Sequence, residues 1–272
     1  MINQINPFPK LVFLKLGGSL ITDKGRPHTP RTDVIVRLLE EISFTLDNDD
    51  ELHLVLGHGS GSFGHIPANK FGTAQGVNTP EEWHGFTKVW FEARLLNQII
   101  IEKSHEIGLP FVSFPISTSG TAQERLIHTW DLTSIRSALE SKLIPVVYGD
   151  VIFDSILGGT IVSTEDIFAY IARELSPVRI LLVGKDEGVY ADYPKCTQLI
   201  PEINSSNWES VTGSLDISEN TDVTGGMRSK VKTMVTLISE MPDLEVYIFS
   251  GDKRGNIISA CRGGQTGTRI SS

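Results

Sequence analysis

Short apolar runs alternate along this chain with longer stretches in which apolar residues recur every three or four positions. The runs are Leu11–Leu16, Leu52–Leu56, Pro110–Phe114, Ile144–Tyr148, Arg179–Val183 and Glu245–Phe249. Their length and near-continuous hydrophobicity predict strands buried on both faces. Within Thr32–Leu46, residues Ile35, Leu38, Leu39, Ile42 and Leu46 share one helical face, and Thr32 or Asp33 can cap the start. Trp83–Ile107 predicts a long helix stopped by Gly108-Leu109-Pro110. Glu165–Leu175, ended by Ser176-Pro177, and Met227–Met241 predict two more. Ile156–Ile161 and Asn204–Asn220 read as excursions or hairpins. Alternation of this kind implies an α/β fold with a mainly parallel sheet covered on both faces, where ligands collect at the carboxyl ends of the strands. No repeat, linker or charge run divides the chain, so residues 1–272 are expected to form one domain.

Composition narrows the function. The chain is 40% hydrophobic and 21% charged, ordinary for a globular protein. Its net charge of -9 argues against a nucleic-acid partner, which selects for a basic face. No apolar stretch nears the roughly 20 residues of a membrane span. The opening MINQINPFPK lacks a signal-peptide pattern. Two cysteines, Cys196 and Cys261, show no metal-ligand spacing, so the expectation is a cytoplasmic protein without a resident metal. Any phosphate must be met by a few placed cations.

Such cations follow the strands. Lys15-Leu16-Gly17-Gly18-Ser19 ends the first run, with Lys24 close behind. Glycines there let backbone N–H groups approach phosphate oxygens, and lysine offsets their charge. Gly57-His58-Gly59-Ser60-Gly61-Ser62-Phe63-Gly64-His65 follows the second run. His58 reads as a solvated turn residue, whereas His65 is placed to donate to a phosphate oxygen. Further on, Asp150, Glu165 and Asp166 exceed what capping by Ser163 or Thr164 needs. Carboxylates beside polyphosphate orient lysines or hold Mg²⁺ through water, and Asp166 is favoured for that work over Glu165, which can serve the helix dipole. Gly184-Lys185-Asp186-Glu187-Gly188-Val189-Tyr190 forms a turn able to cover a nucleotide. Thr221-Asp222-Val223-Thr224-Gly225-Gly226 opens a helix toward an anion, with Lys230 one turn on. Ser19, Ser60 and Ser62 lack a nearby base in the sequence and no nucleophile elbow occurs, which suits direct phosphoryl transfer.

Together, K-L-G-G-S, the G-S-F-G-H loop, G-D-V-x-F-D, D-x-x-G-V-Y and T-D-V-T-G-G-M-x-x-K resemble the amino acid kinase superfamily, and within it the isopentenyl phosphate kinases. The resemblance runs in order from about Leu11 to Gly267. It implies a three-layer αβα sandwich, commonly a homodimer, that uses ATP and Mg²⁺ to phosphorylate isopentenyl phosphate. Residues up to about 175 would serve mainly the acceptor and residues 176–272 mainly the nucleotide. Lys15, Gly17 and Gly18 would lie under the ATP phosphates, Lys24 at the transferring phosphoryl group, and Ser60 and Gly61 between the two substrates. His65 would grip the acceptor's monophosphate, Gly159 border the acceptor, and Asp166 order the lysines. Lys185, Asp186, Gly188 and Tyr190 would flank the adenosine, with Gly226 and Lys230 at the β- and γ-phosphates. The family's usual Gly-Asp-Asp is here Thr164-Glu165-Asp166, and a usually more acidic turn is Gly184-Lys185.

A monophosphate acceptor brings more negative charge than a carboxylate, which an imidazole at His65 would offset. Trp83, Phe86, Trp90 and Phe91 would line a slot for a five-carbon tail, or simply pack as core. A fosfomycin-type kinase, a carboxylate or carbamate kinase, and a nucleotide-binding regulatory module are the competing readings.

Overall fold

The computed structural model of the chain describes residues 8–215 and 226–272. Its elements begin with β1 (Lys10–Leu16), α1 (Gly18–Ile21), α2 (Thr32–Asp47), β2 (Leu52–His58), α3 (Gly61–Phe71) and α4 (Pro80–Ile107). There follow β3 (Phe111–Ser113), β4 (Thr121–Gln123), β5 (Leu126–Thr129), α5 (Thr133–Glu140), β6 (Ile144–Tyr148), β7 (Asp150–Asp154) and β8 (Gly158–Val162). Next are α6 (Thr164–Leu175), β9 (Arg179–Gly184), β10 (Val189–Tyr190), β11 (Leu199–Ile200), β12 (Glu202–Ile203) and α7 (Trp208–Leu215). Last come α8 (Gly226–Glu240), β13 (Glu245–Ser250), α9 (Asn256–Cys261) and β14 (Thr268–Ile270).

The main sheet has the order β12-β14-β13-β9-β1-β2-β6-β3. Every neighbouring pair is parallel except β13 with β14. Two apolar layers flank it, because successive side chains of a strand point to opposite faces. Phe13 on β1 packs in the layer with α6 residues Ile167 and Phe168 and α8 residues Val231 and Met234. Its neighbours Val12 and Leu14 pack in the other, with Ile35 and Leu38 of α2, Leu96 of α4 and Ile257 of α9. This is the expected αβα sandwich, and double-sided burial explains why β1 reads as an unbroken apolar run.

β5, β4, β7 and β8 make a smaller sheet. The β7–β8 pair is the hairpin expected around Ile156–Ile161. The Asn204–Asn220 stretch contains a helix, α7, rather than a hairpin; its residues from 216 on, and the Thr221–Gly225 motif, lie outside the described residues. Helix α4 starts three residues before the expected Trp83. Thr79 accepts from Glu82 N and Glu82 accepts from Thr79 N, a capping box with Pro80 in the first turn. Gly108 ends it at φ 88, a conformation favouring glycine.

Candidate active site

The carboxyl ends of β1, β2, β6 and β9 open into one cleft, where the chain turns from strand to helix on glycines. Gly17 N donates to Val183 O at 2.7 Å, and Gly59 N to Leu16 O at 3.0 Å, so the β1 and β2 turns are held against each other and against β9. A Cβ on Gly18 would stand 2.5 Å from Gly61 N, and one on Gly59 2.8 Å from Gly18 N. Gly61 itself adopts φ 51. Side chains at these turns would push two backbones apart. Lys15, Gly17, Gly18, Ser60 and Gly61 all line the cleft, as do Lys24, His65, Gly226 and Lys230. His65 stands on the second turn of α3, a helix where the sequence reading has only a loop. Helix α3 has glycines in its first turn and Pro67 inside it, which is why its helical character does not show in the sequence.

Charge converges on one carboxylate. Lys15, only 7% exposed, donates from Nζ to Glu165 Oε1 at 2.7 Å, and Lys230 Nζ lies 3.9 Å from the same oxygen. Burial pushes Glu165 upward, but Lys15 and Lys230 outweigh it and hold its carboxyl below the ordinary value. The residue that orders the lysines is therefore Glu165, not Asp166. Asp166 Oδ2 accepts from Ser163 N at 3.0 Å and from Ser163 Oγ at 2.7 Å, while Asp166 N donates back to Ser163 Oγ. That capping box, with Thr233 on Oδ1 at 3.4 Å, turns Asp166 away from the cleft. Burial raises its pKa, against the pull of Ser163. The Ser163-x-x-Asp166 spacing is itself a capping signature and is the signal that separates the two acids.

Two neighbours also differ from expectation. His58 is fully buried: its Nε2 faces Asn97 Oδ1 at 3.2 Å, its ring stacks on Tyr148, and burial lowers its pKa to about 4. It is a neutral packing residue, not a solvated one. Asp150 is buried outside the cleft wall, its carboxyl pushed up to about 7 by burial against the pull of Ser117 and Val151 N. Thr164, passed over as a possible cap, donates to His58 O at 2.7 Å and accepts from Gly149 N, locking β2 to β6 at the cleft.

The aromatic residues stand one layer back. Phe86, with Trp83 and Trp90 beside it, packs on Ala68, Val77, Val89, Val151 and Ile161, and of these Ile161 lines the cleft. Trp83, Phe86 and Trp90 back the wall rather than forming it, and Phe91 is 48% exposed. Gly159 is pressed against the Phe86 ring, where a Cβ would come within 2.9 Å. At the other end Lys185 and Asp186 line the cleft, but Gly188 packs on Thr268 and Tyr190 lies in the β10–β11 pair beyond the wall. The end of β13 and the segment after it brace this end: Ser250 Oγ donates to Lys185 O, and Gly251 N to Gly184 O. The segment after β13 is gripped in turn from α2, where Arg37 Nη2 donates to Gly251 O at 2.6 Å and Glu41 Oε2 accepts from Gly255 N at 3.0 Å.

Among the described residues no three His, Cys, Asp or Glu side chains come together to hold a metal. With Glu165 given to lysines and Asp166 to its cap, these donors do not make a protein-held Mg²⁺ site. They suit an ion that arrives on a nucleotide's phosphates. What the cleft offers is four lysines (Lys15, Lys24, Lys185 and Lys230), backbone N–H groups and an imidazole.

The amino acid kinase family model matches residues 10–250. The chain is similar to the isopentenyl phosphate kinase of Methanocaldococcus jannaschii, 32% identical and covering 96% of this chain and 98% of that one. It is 33% identical to the isopentenyl phosphate kinase of Methanothermobacter thermautotrophicus, with the same coverage of both chains. An X-ray structure of isopentenyl phosphate kinase superposes with a TM-score of 0.82 at 29% identity, over 96% of this chain and 100% of the other.

Proposed function

The chain belongs to the amino acid kinase family, and from that footing we propose that it transfers the γ-phosphoryl group of ATP to isopentenyl phosphate, giving isopentenyl diphosphate and ADP. The observation that carries this reading is the meeting of Lys15, Lys24 and Lys230 with the two glycine turns and His65 in one cleft. The similar isopentenyl phosphate kinases support the choice of acceptor.

In this reading an oxygen of the acceptor's monophosphate attacks the γ-phosphorus as the bond to the β-phosphate oxygen breaks, and ADP leaves with that electron pair. The protein supplies position and charge, the main contributions in phosphoryl transfer. Lys15 and Lys230, aligned by Glu165, meet the donor phosphates, and the N–H groups of Gly18 and Gly61 line their path, while Gly17 N stays bonded to Val183 O. Lys24 follows the phosphoryl group as it moves. His65 donates to the acceptor's phosphate, relieving repulsion between two anions. Mg²⁺ belongs to the substrate as MgATP and neutralises phosphate charge. The acceptor's tail points toward Ile161 and the aromatic cluster behind it, and the nucleotide toward Lys185 and Asp186. The residues up to about 175 thus serve chiefly the acceptor, and those from 176 to 272 chiefly the nucleotide.

The reading extends to a cytoplasmic homodimer, the assembly the family resemblance implies; the two free cysteines suit a reducing compartment. Among the described residues no helix is long and apolar enough to cross a membrane. An ADP-release assay with MgATP tests the function directly. Turnover is expected with isopentenyl phosphate; turnover with fosfomycin alone would move the acceptor, and none with any small phosphate or phosphonate would overturn the reading.

A further inference from the structure

Lys24 rides on an exposed excursion between α1 and α2, and the excursion is tied at its neck. Thr22 and Pro30 bridge as in an antiparallel pair, and Asp23 N donates to Thr29 O at 2.9 Å. Beyond the neck, the ring of His28 reaches across to the body of the protein. Its Nε2 lies 2.8 Å from Glu92 Oε2 on α4. The ring also lies flat on Phe63, with centroids 5.5 Å apart and planes 11° from parallel. Phe63 is buried in the first turn of α3, two residues before His65. Thr29 N adds a bond to Ser62 Oγ at 3.3 Å on the same turn.

His28 makes these contacts at φ 50, a left-handed conformation uncommon for residues other than glycine. A local cost of that kind persists where surrounding contacts hold it, and here they join three elements at one ring. Glu92 completes the case: its side chain is 13% exposed and its buried Oε2 makes no hydrogen bond, so the 2.8 Å approach of His28 Nε2 is the polar contact at that oxygen.

We propose that His28 and Glu92 form a clasp that holds the Lys24 excursion at a fixed distance from the His65 turn, making both of them positioning residues for phosphoryl transfer. The proposal rests on the function given above. The clasp acts through Lys24, so it governs a step in which donor and acceptor must be aligned more than it governs nucleotide binding.

The test is a double-mutant cycle of His28→Ala and Glu92→Ala, read by kinetics and by trypsin cleavage after Lys24. Each single change is expected to lower kcat about tenfold while KM for ATP stays within about twofold, and the double variant to be no worse than either single one. Cleavage after Lys24 should quicken several-fold in all three variants, with other sites cut at the wild-type rate. Losses that multiply in the double variant, a loss confined to KM for ATP, or unchanged cleavage after Lys24 would each overturn the clasp. Should the wild-type enzyme fail to phosphorylate isopentenyl phosphate, the functional reading falls, and the cleavage rates still decide whether the clasp exists.

Discussion

At the floor of the cleft Gly18, Gly59 and Gly61 meet backbone against backbone, whereas behind its Ile161 wall a Cβ on Gly159 would have ring atoms of Phe86 and Trp83 as its nearest neighbours. Both places use glycine to let two pieces of chain approach, but the neighbour differs in what it can yield. These turns are pinned by backbone bonds, Gly17 N to Val183 O and Gly59 N to Leu16 O, so their peptide groups have little room to yield. An aromatic ring can tilt by a few tenths of an ångström within its packing. The floor, under the proposed phosphates, is thus fixed by the backbone and intolerant, while the wall is set by side chains and adjustable.

Gly18→Ala strikes the floor directly, since its Cβ would meet Gly61 N at 2.5 Å and Gly61 Cα at 2.7 Å. We expect turnover to fall by more than about a hundredfold, because small displacements of reacting groups carry penalties of that order. Steady-state kinetics beside a melting curve would check it; near-normal turnover would mean that the floor yields as readily as the wall.

Glu165→Gln keeps the shape of the site and removes the charge between Lys15 and Lys230. Turnover should drop on the order of tenfold to a hundredfold, with ATP binding less affected because the nucleotide's own charge replaces the lost one. Asp166→Asn is the control: it should lower stability by about 1 kcal/mol through the cap and leave turnover near normal. The reverse pattern would return the ordering role to Asp166.

Gly159→Ala is the mildest change. Its Cβ would press on the Phe86 ring, and KM for the acceptor is expected to rise about two- to fivefold with KM for ATP unchanged, as befits loss of fit at a binding surface. A collapse in turnover would show the wall to be as rigid as the floor.

How much of this could be read in the sequence follows the same division. Strands buried on both faces announce themselves as continuous apolar runs, and glycines after them mark where backbones must approach. The cleft's lysines and His65 stand in those same segments. What could not be read is where a side chain points once its helix is formed. Glu165 and Asp166 are adjacent in sequence yet differ by about 100° around the helix axis. Only the capping partnership with Ser163 decides which one faces Lys15. Helix α3 hides for a related reason: its early glycines and Pro67 oppose helix by propensity, and packing against α4 and the Lys24 excursion overrides them. The aromatic residues announce bulk without saying whether it faces ligand or core. Here Ile161 both packs on their cluster and lines the cleft.

The grip of Arg37 and Glu41 on the segment after β13 carries a mechanical consequence. Helix α2 packs on the sheet face opposite α6 and α8, yet two of its side chains hold the segment after β13, which bonds to Gly184 at the edge of the cleft. A load placed on that far layer, by a neighbouring molecule or by strain within the layer, has a rigid linkage to the edge of the cleft. The helix works there as a lever whose short arm ends at Gly184 on the cleft wall.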